Sequence, residues 1–244
     1  MKKVFVKTKN VKQLISMMNR LREREDGVPG MGLVYGEPGL GKTYAITWWA
    51  AQQNDAILIR SANLMSARWL LEEMVEELGE IPYNKFSDIF NQVVAQLIKT
   101  PRTIVVDETD YLTIDSRAVE TLRDIHDKTN VSIVLVGMGT ANKRLQRHKH
   151  LYDRLLEIIK FEPFSKQDIT SIIDQLSEVP FTDCAKKLLY TRTNRFRQLV
   201  KTISKAEQVA KSNGIKEIDE ITLKEVLKND DTDAEEIELA NENS

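Results

Sequence analysis

The run Gly36-Glu37-Pro38-Gly39-Leu40-Gly41-Lys42-Thr43 has the spacing G-x-x-x-x-G-K-T. Apolar Gly32-Leu33-Val34-Tyr35 precedes it, and Tyr44-Ala45-Ile46-Thr47-Trp48-Trp49-Ala50-Ala51, a segment that accepts a helix, follows. Strand, loop and helix in that order are what a phosphate-binding loop requires. Glycines let the backbone turn its N–H groups inward, and the positive end of the helix dipole faces the anion. Lys42 is expected to reach the β- and γ-phosphates of a nucleoside triphosphate, and the Thr43 hydroxyl to take one position on Mg²⁺. Gly36, Glu37, Pro38, Gly39, Leu40, Gly41, Lys42, Thr43 and Tyr44 are therefore the candidate ATP-binding residues.

About sixty residues further on, Thr103-Ile104-Val105-Val106-Asp107-Glu108 reads as a buried strand with two acids at its carboxyl end, where open parallel sheets bind ligands. Asp107 is expected to hold Mg²⁺ through water, and Glu108 to orient and deprotonate the attacking water. Short apolar runs at 56–60, 132–137 and 157–161 supply further strands, and apolar periodicity places helices at 66–78, 86–98 and 116–127. The alternation predicts an α/β fold with a five-stranded parallel sheet flanked by helices. After the strand at 132–137, Thr140 and Asn142 are the polar groups available to sense a γ-phosphate. The loop 142–154 is basic, and Arg154, just ahead of the next strand, is the first choice for an arginine reaching a neighbouring subunit's γ-phosphate, with Arg147 and Arg144 behind it.

Ahead of the loop, residues 1–30 read as a lead-in of strand and helix, from Val4-Phe5-Val6 through Val11, Leu14, Ile15, Met18 and Leu21. Beyond Pro163 only helical patterning remains, at 165–177, 182–192, 195–213 and 222–228, with Ser165-x-x-Asp168 and Thr222-x-x-Glu225 as capping boxes. The domains expected are thus 1–30, a nucleotide-binding domain at 31–162, a small all-helical lid at 163–228, and a disordered acidic tail at 229–244. Arg197, opening the third lid helix, is placed to fold back onto the phosphates.

The chain carries 35 lysines and arginines against 37 acids, and seven of those acids lie in 229–244, so the body is basic by five charges. That balance allows polyanion binding without the strongly basic signature of a dedicated nucleic-acid domain. No apolar run reaches the ~20 residues of a membrane span, and the lone Cys184 suits a reducing compartment. The cytoplasm is the expected location. His148-x-His150 has no cysteine or carboxylate cluster to complete a zinc site.

Taken together, these motifs resemble the AAA+ superfamily, and within it the transposition ATPases of the phage Mu transposition protein B family. The resemblance rests on Phe5-Val6-x-Thr8-x-x-Val11-Lys12-Gln13, the phosphate loop, Glu76-x-Leu78-Gly79, Val105-Val106-Asp107-Glu108-x-Asp110-x-Leu112, Ile133-Val134-Leu135-Val136-Gly137 and Arg197-x-Leu199, spanning about residues 4 to 228. It implies an ATP-dependent, largely sequence-nonspecific protein that forms filaments on double-stranded DNA and delivers target DNA to a DDE-type transposase. Arg60, Arg68, Lys85, Lys99, Arg102, Lys143 and Arg144 are then the candidate DNA contacts. Met138 stands where such proteins carry a polar sensor, which predicts slow hydrolysis in the isolated protein. A helicase loader or replication-initiation ATPase shares these motifs, as do ATPases of secretion or wall-associated assemblies, which usually add a membrane span or a wall-binding domain.

Overall fold

β-Branched runs such as Ile104-Val105-Val106 and Ile133-Val134-Leu135-Val136 are buried throughout, as strands covered by helices on both faces must be. In the computed structural model, which describes residues 1–63, 65–193 and 195–228, strands and helices alternate from α1 (Lys9–Arg22). The order continues β1 (Met31–Gly36), α2 (Lys42–Ala50), β2 (Ala56–Arg60), α3 (Ala67–Glu77), α4 (Phe86–Lys99), β3 (Thr103–Asp107), α5 (Thr109–Leu112) and α6 (Ser116–Thr129). It closes with β4 (Ile133–Gly137), α7 (Gly139–Leu145), α8 (Lys149–Tyr152), β5 (Leu155–Phe161), α9 (Lys166–Leu176), α10 (Asp183–Arg192), α11 (Phe196–Ser212) and a last helix at 220–228. The acidic run 229–244 lies outside the described residues. Among the described residues, no helix is long and apolar enough to cross a membrane.

The chain divides into two compact units, Asn10–Glu162 and a second made of Met1–Lys9 with the residues from Pro163 onward. In the first, the five strands are parallel and ordered β2-β3-β4-β1-β5, registered Arg60 to Asp107, Tyr35 to Gly137 and Gly36 to Phe161. Its core gathers Leu33, Ile59, Leu70, Met74, Val93, Val106, Leu122 and Leu135, all fully or nearly fully buried.

The second unit is built on Ile169, Ile173, Leu189, Leu199, Ile203 and Ile218. Its α9 opens with a reciprocal capping box between Ser165 and Asp168. One isolated parallel bridge, Phe181 to Ile218, accompanies its helices.

Three expectations change. Residues 4–6 form no strand: Val6 is buried in the core of the helical unit, and the Lys2 N–H donates to the Leu176 carbonyl at 2.8 Å, so the lead-in splits at Lys9. The basic stretch 142–154 is largely helical, because Ala141, Leu145 and Leu151 bury their side chains and fix α7 and α8. The last helix begins ahead of Thr222, which lies inside its first turn and donates its N–H to Asp219 Oδ1 at 2.8 Å.

Candidate nucleotide site

Parallel strands deliver their carboxyl ends to one edge, so the phosphate loop and the acidic pair arrive on the same side of the sheet. β4 lies between β3 and β1, which puts the corner after Gly137 between acids and loop. Glu37, Pro38, Gly39, Leu40 and Gly41 connect β1 to α2, and Leu40 is buried beneath them. Gly41 stands at the N-cap of α2 with φ 84°, ψ 18°, a left-handed conformation that costs a side-chain-bearing residue about 1 kcal/mol or more. Among the described residues no side chain caps α2, which leaves its N-terminal dipole open to an anion. Thr43 is half-buried in the first turn and Tyr44 is exposed beside it.

Lys42 Nζ donates to the carbonyls of Gly36 (2.7 Å) and Glu37 (2.9 Å). Burial lowers its pKa, and Asp107, Asp110 and Glu37 pull it back up. The ammonium is desolvated and faces neutral acceptors, which phosphate oxygens would replace with charge-assisted bonds roughly twice as strong.

Asp107 is 3% exposed. Its Oδ1 accepts the Glu108 N–H at 2.9 Å, while Oδ2 is buried with no hydrogen bond among the described residues, 3.8 Å from Arg60 Nε. Buried carboxylate oxygens are almost always partnered. A free hard oxygen here, with the Thr43 hydroxyl opening α2, fits the donor set of a Mg²⁺ that also takes phosphate oxygens and water.

Glu108 adopts φ 55°, ψ 36°, left-handed for a residue other than glycine, a conformation that concentrates at functional sites. It is fixed from below: Ser61 donates its N–H to Asp107 O (2.9 Å) and its hydroxyl to Glu108 O (2.6 Å). Ser61 was not legible as part of the site, because only the register of β2 with β3 brings it there.

The arginines are distributed differently. Arg154 precedes β5 at the amino edge of the sheet, opposite its own phosphate loop, and is held in a bidentate pair with Asp127 on α6 (2.7 and 3.2 Å). That bond raises the Arg154 pKa and lowers that of Asp127. Arg197 lies exposed near the start of α11, in the helical unit.

Arg60 ends β2 beside Asp107, at the nucleotide site itself. Arg68 is bonded to Glu72 (2.8 Å) and to the Asn84 carbonyl (2.8 Å), with Lys85 exposed next to it in sequence. Lys143 and Arg144 lie on α7, where Arg144 donates to the Asp110 carbonyl (2.7 Å). Lys99 ends α4 and Arg102 immediately precedes β3, both at the amino edge, whereas Arg60 lies at the carboxyl edge. Of the candidate sensors, Thr140 donates its hydroxyl to Asp110, whereas Asn142 Oδ1 is buried without a partner among the described residues.

A five-stranded parallel sheet with a phosphate loop after β1 and an acidic pair closing β3 defines a P-loop nucleotide-binding fold of the AAA+ type. Residues 7–145, more than half of the chain, match the family described as AAA domain, and the chain belongs to that family. It is 24% identical over 229 residues to a "Potential ATP-binding protein" of Staphylococcus aureus, covering 77% of this chain and 83% of that one.

Solved structures extend the likeness at the level of fold. The Aeropyrum pernix ORC1 protein in complex with DNA matches with a TM-score of 0.63 at 14% identity, over 93% of this chain and 66% of that one. The Aeropyrum pernix ORC2 protein matches at 0.71 and 15%, over 93% and 68%. Domain III of the Thermotoga maritima replication initiation protein DnaA matches at 0.61 and 17%, over 92% and 94%. The chain thus spans about two thirds of the length of the ORC proteins.

Proposed function

We propose that this protein binds ATP with Mg²⁺, hydrolyses it, and uses the nucleotide state to control its own assembly on duplex DNA. The observation that carries the reading is a desolvated Lys42 ammonium on the same sheet edge as the buried, unbonded Asp107 Oδ2. A Mg²⁺ held by Thr43 and, through water, by Asp107 would neutralise charge on the phosphates. Lys42 and the backbone N–H groups of the loop hold the triphosphate, and Glu108 orients a water and takes its proton. Arg154 of a neighbouring protomer, released from Asp127, stabilises charge developing at the γ-phosphate. Arg197 reports the nucleotide to the helical unit. With Met138 in place of a polar sensor, turnover is slow until a partner contacts the complex.

The particular role we infer is target selection and transposase activation in DNA transposition, on nucleotide-dependent filaments and with a DDE-type transposase as partner, in the cytoplasm. It is supported by the order of motifs from Phe5 to Leu199. A second reading, replication initiation or helicase loading, is favoured by the fold-level likeness to ORC1 in complex with DNA and to DnaA. Both readings require phosphate contacts, which we assign to Arg68, Lys85 and Lys143, and both therefore require binding that weakens as salt rises. A neighbouring gene for an integrase-core transposase, as opposed to a replicative helicase, separates them.

The test is retention on duplex DNA with and without ATP. Lys42→Ala is expected to weaken nucleotide binding roughly 10- to 100-fold, the value of a lost charge-assisted bond, and with it DNA retention. Glu108→Gln should bind ATP normally and leave long-lived complexes. Retention that ignores ATP and is equal in Lys42→Ala would overturn the proposal.

A further inference from the structure

Directly after the acidic pair, two residues of α5 tie the end of β3 to the end of β4. β3 and β4 pair only as far as Val106 and Leu135. At the next step Thr109 replaces the missing strand neighbour: its Oγ1 donates to Val136 O (2.8 Å) and accepts the Val136 N–H (3.0 Å). Asp110, one residue on and 7% exposed, turns its carboxylate into the corner that follows β4.

Asp110 Oδ2 accepts the Met138 N–H at 2.6 Å, and Oδ1 accepts the Ala141 N–H at 2.9 Å together with the Thr140 hydroxyl. The Asp110 carbonyl takes the Arg144 guanidinium at 2.7 Å. The corner is built around this carboxylate. A Cβ on Gly137 would lie 2.7 Å from Asp110 Oδ2, so only glycine lets it approach. α7 has no side-chain cap of its own, and Asp110 supplies one from outside the helix. The same carboxylate raises the pKa of Lys42, so it also belongs to the electrostatics of the phosphate loop.

We propose that Asp110 is the positioning residue of this site. It binds Glu108, two residues before it, and the β4–α7 corner into one rigid block, so that the orientation of Glu108 depends on where α7 stands. The inference rests on the hydrolytic reading above. It also accounts for a corner that lacks a polar sensor side chain at Met138: the contact with the catalytic edge runs through backbone N–H groups that Asp110 holds. By reciprocity, a partner bound to the cationic residues of α7, Lys143 and Arg144, and a nucleotide held at Glu108 must bias the same block.

Asp110→Asn tests this. An amide offers one accepting oxygen in place of two, so its NH₂ must face either Met138 N–H or Ala141 N–H, and one backbone bond is lost whichever way it turns. Because a misplacement of about 1 Å can cost on the order of 100-fold in rate, kcat is expected to fall roughly 10- to 100-fold. KM and the affinity for a fluorescent ATP analogue should stay within about threefold of wild type.

In a Glu108→Gln background the same change should lower the residual rate no further, since Asp110 acts through Glu108. If Asp110→Asn does not fold, Thr140→Ala, which removes one donor, carries the same pattern at a smaller factor. A wild-type kcat in Asp110→Asn, a loss shared equally by nucleotide affinity, or a further loss in the Glu108→Gln background would each overturn the assignment. A wild-type protein with no ATP turnover at all would instead sink the hydrolytic reading on which it rests.

Discussion

Single side chains at the amino edge of the sheet are fixed as firmly as those at the nucleotide site. His126 accepts the Gly30 N–H at Nε2 (3.2 Å), so its proton sits on Nδ1, which donates to the Val131 carbonyl (2.9 Å). Burial lowers its pKa; the Val131 bond and the Asp127 charge oppose this, and the Arg24 and Arg154 charges reinforce it. The folded state therefore resists a proton that the unfolded chain accepts near pH 6.5. Stability from this group is complete above about that pH and is lost as pH falls below it, because the unfolded state then binds more protons. Denaturant unfolding at pH 7.5 and pH 5 should show this acid-side loss, and His126→Gln should reduce it. Equal losses in the two proteins would remove His126 as its source. Nothing in the local sequence singles out this histidine, because its partners are supplied by the turn before β1 and the turn before β4.

Elements were legible where their signals are local. Ser165-x-x-Asp168 satisfies two backbone donors within one turn, and the structure contains both halves of that box. Ser165→Ala is expected to lower the stability of the helical unit by about 1 kcal/mol, the usual value of an N-cap, read as an earlier thermal transition. An unchanged transition would mean that α9 is held by its buried Ile169, Ile172, Ile173 and Leu176 alone. The signal failed for α7 and α8, where Lys143, Arg144, Arg147 and Lys149 mask the spacing of Ala141, Leu145 and Leu151. It failed also at the last helix, where Asp219 and Thr222 are both acceptable cap residues and only the backbone path decides between them.

At the scale of the whole molecule, the role proposed for Arg154 requires assembly. It stands across the sheet from its own phosphate loop, so its proposed action on a γ-phosphate demands a second copy. Arg154→Ala alone and Lys42→Ala alone should each be nearly inactive. Mixed together they should recover at least about tenfold over either one, since an arginine finger is worth roughly 10³ in rate. In such a mixture an intact loop on one protomer meets an intact Arg154 on the other. No recovery on mixing, measured as ATP turnover with duplex DNA present, would remove the intersubunit role.

The sequence by itself determined the α/β class with its five-stranded parallel sheet, the order of the motifs along the chain, and the residue types at the loop and the acidic pair. Those are set by short-range patterns: glycine spacing, β-branched runs, and acids at the end of a strand. Only the tertiary structure decided that Met1–Lys9 belongs with the helical unit, that Arg60 lies beside Asp107, and that Asp110 holds the corner after β4. Each of these depends on contacts between residues distant in the chain, made by strand register and by burial, and no local pattern encodes them.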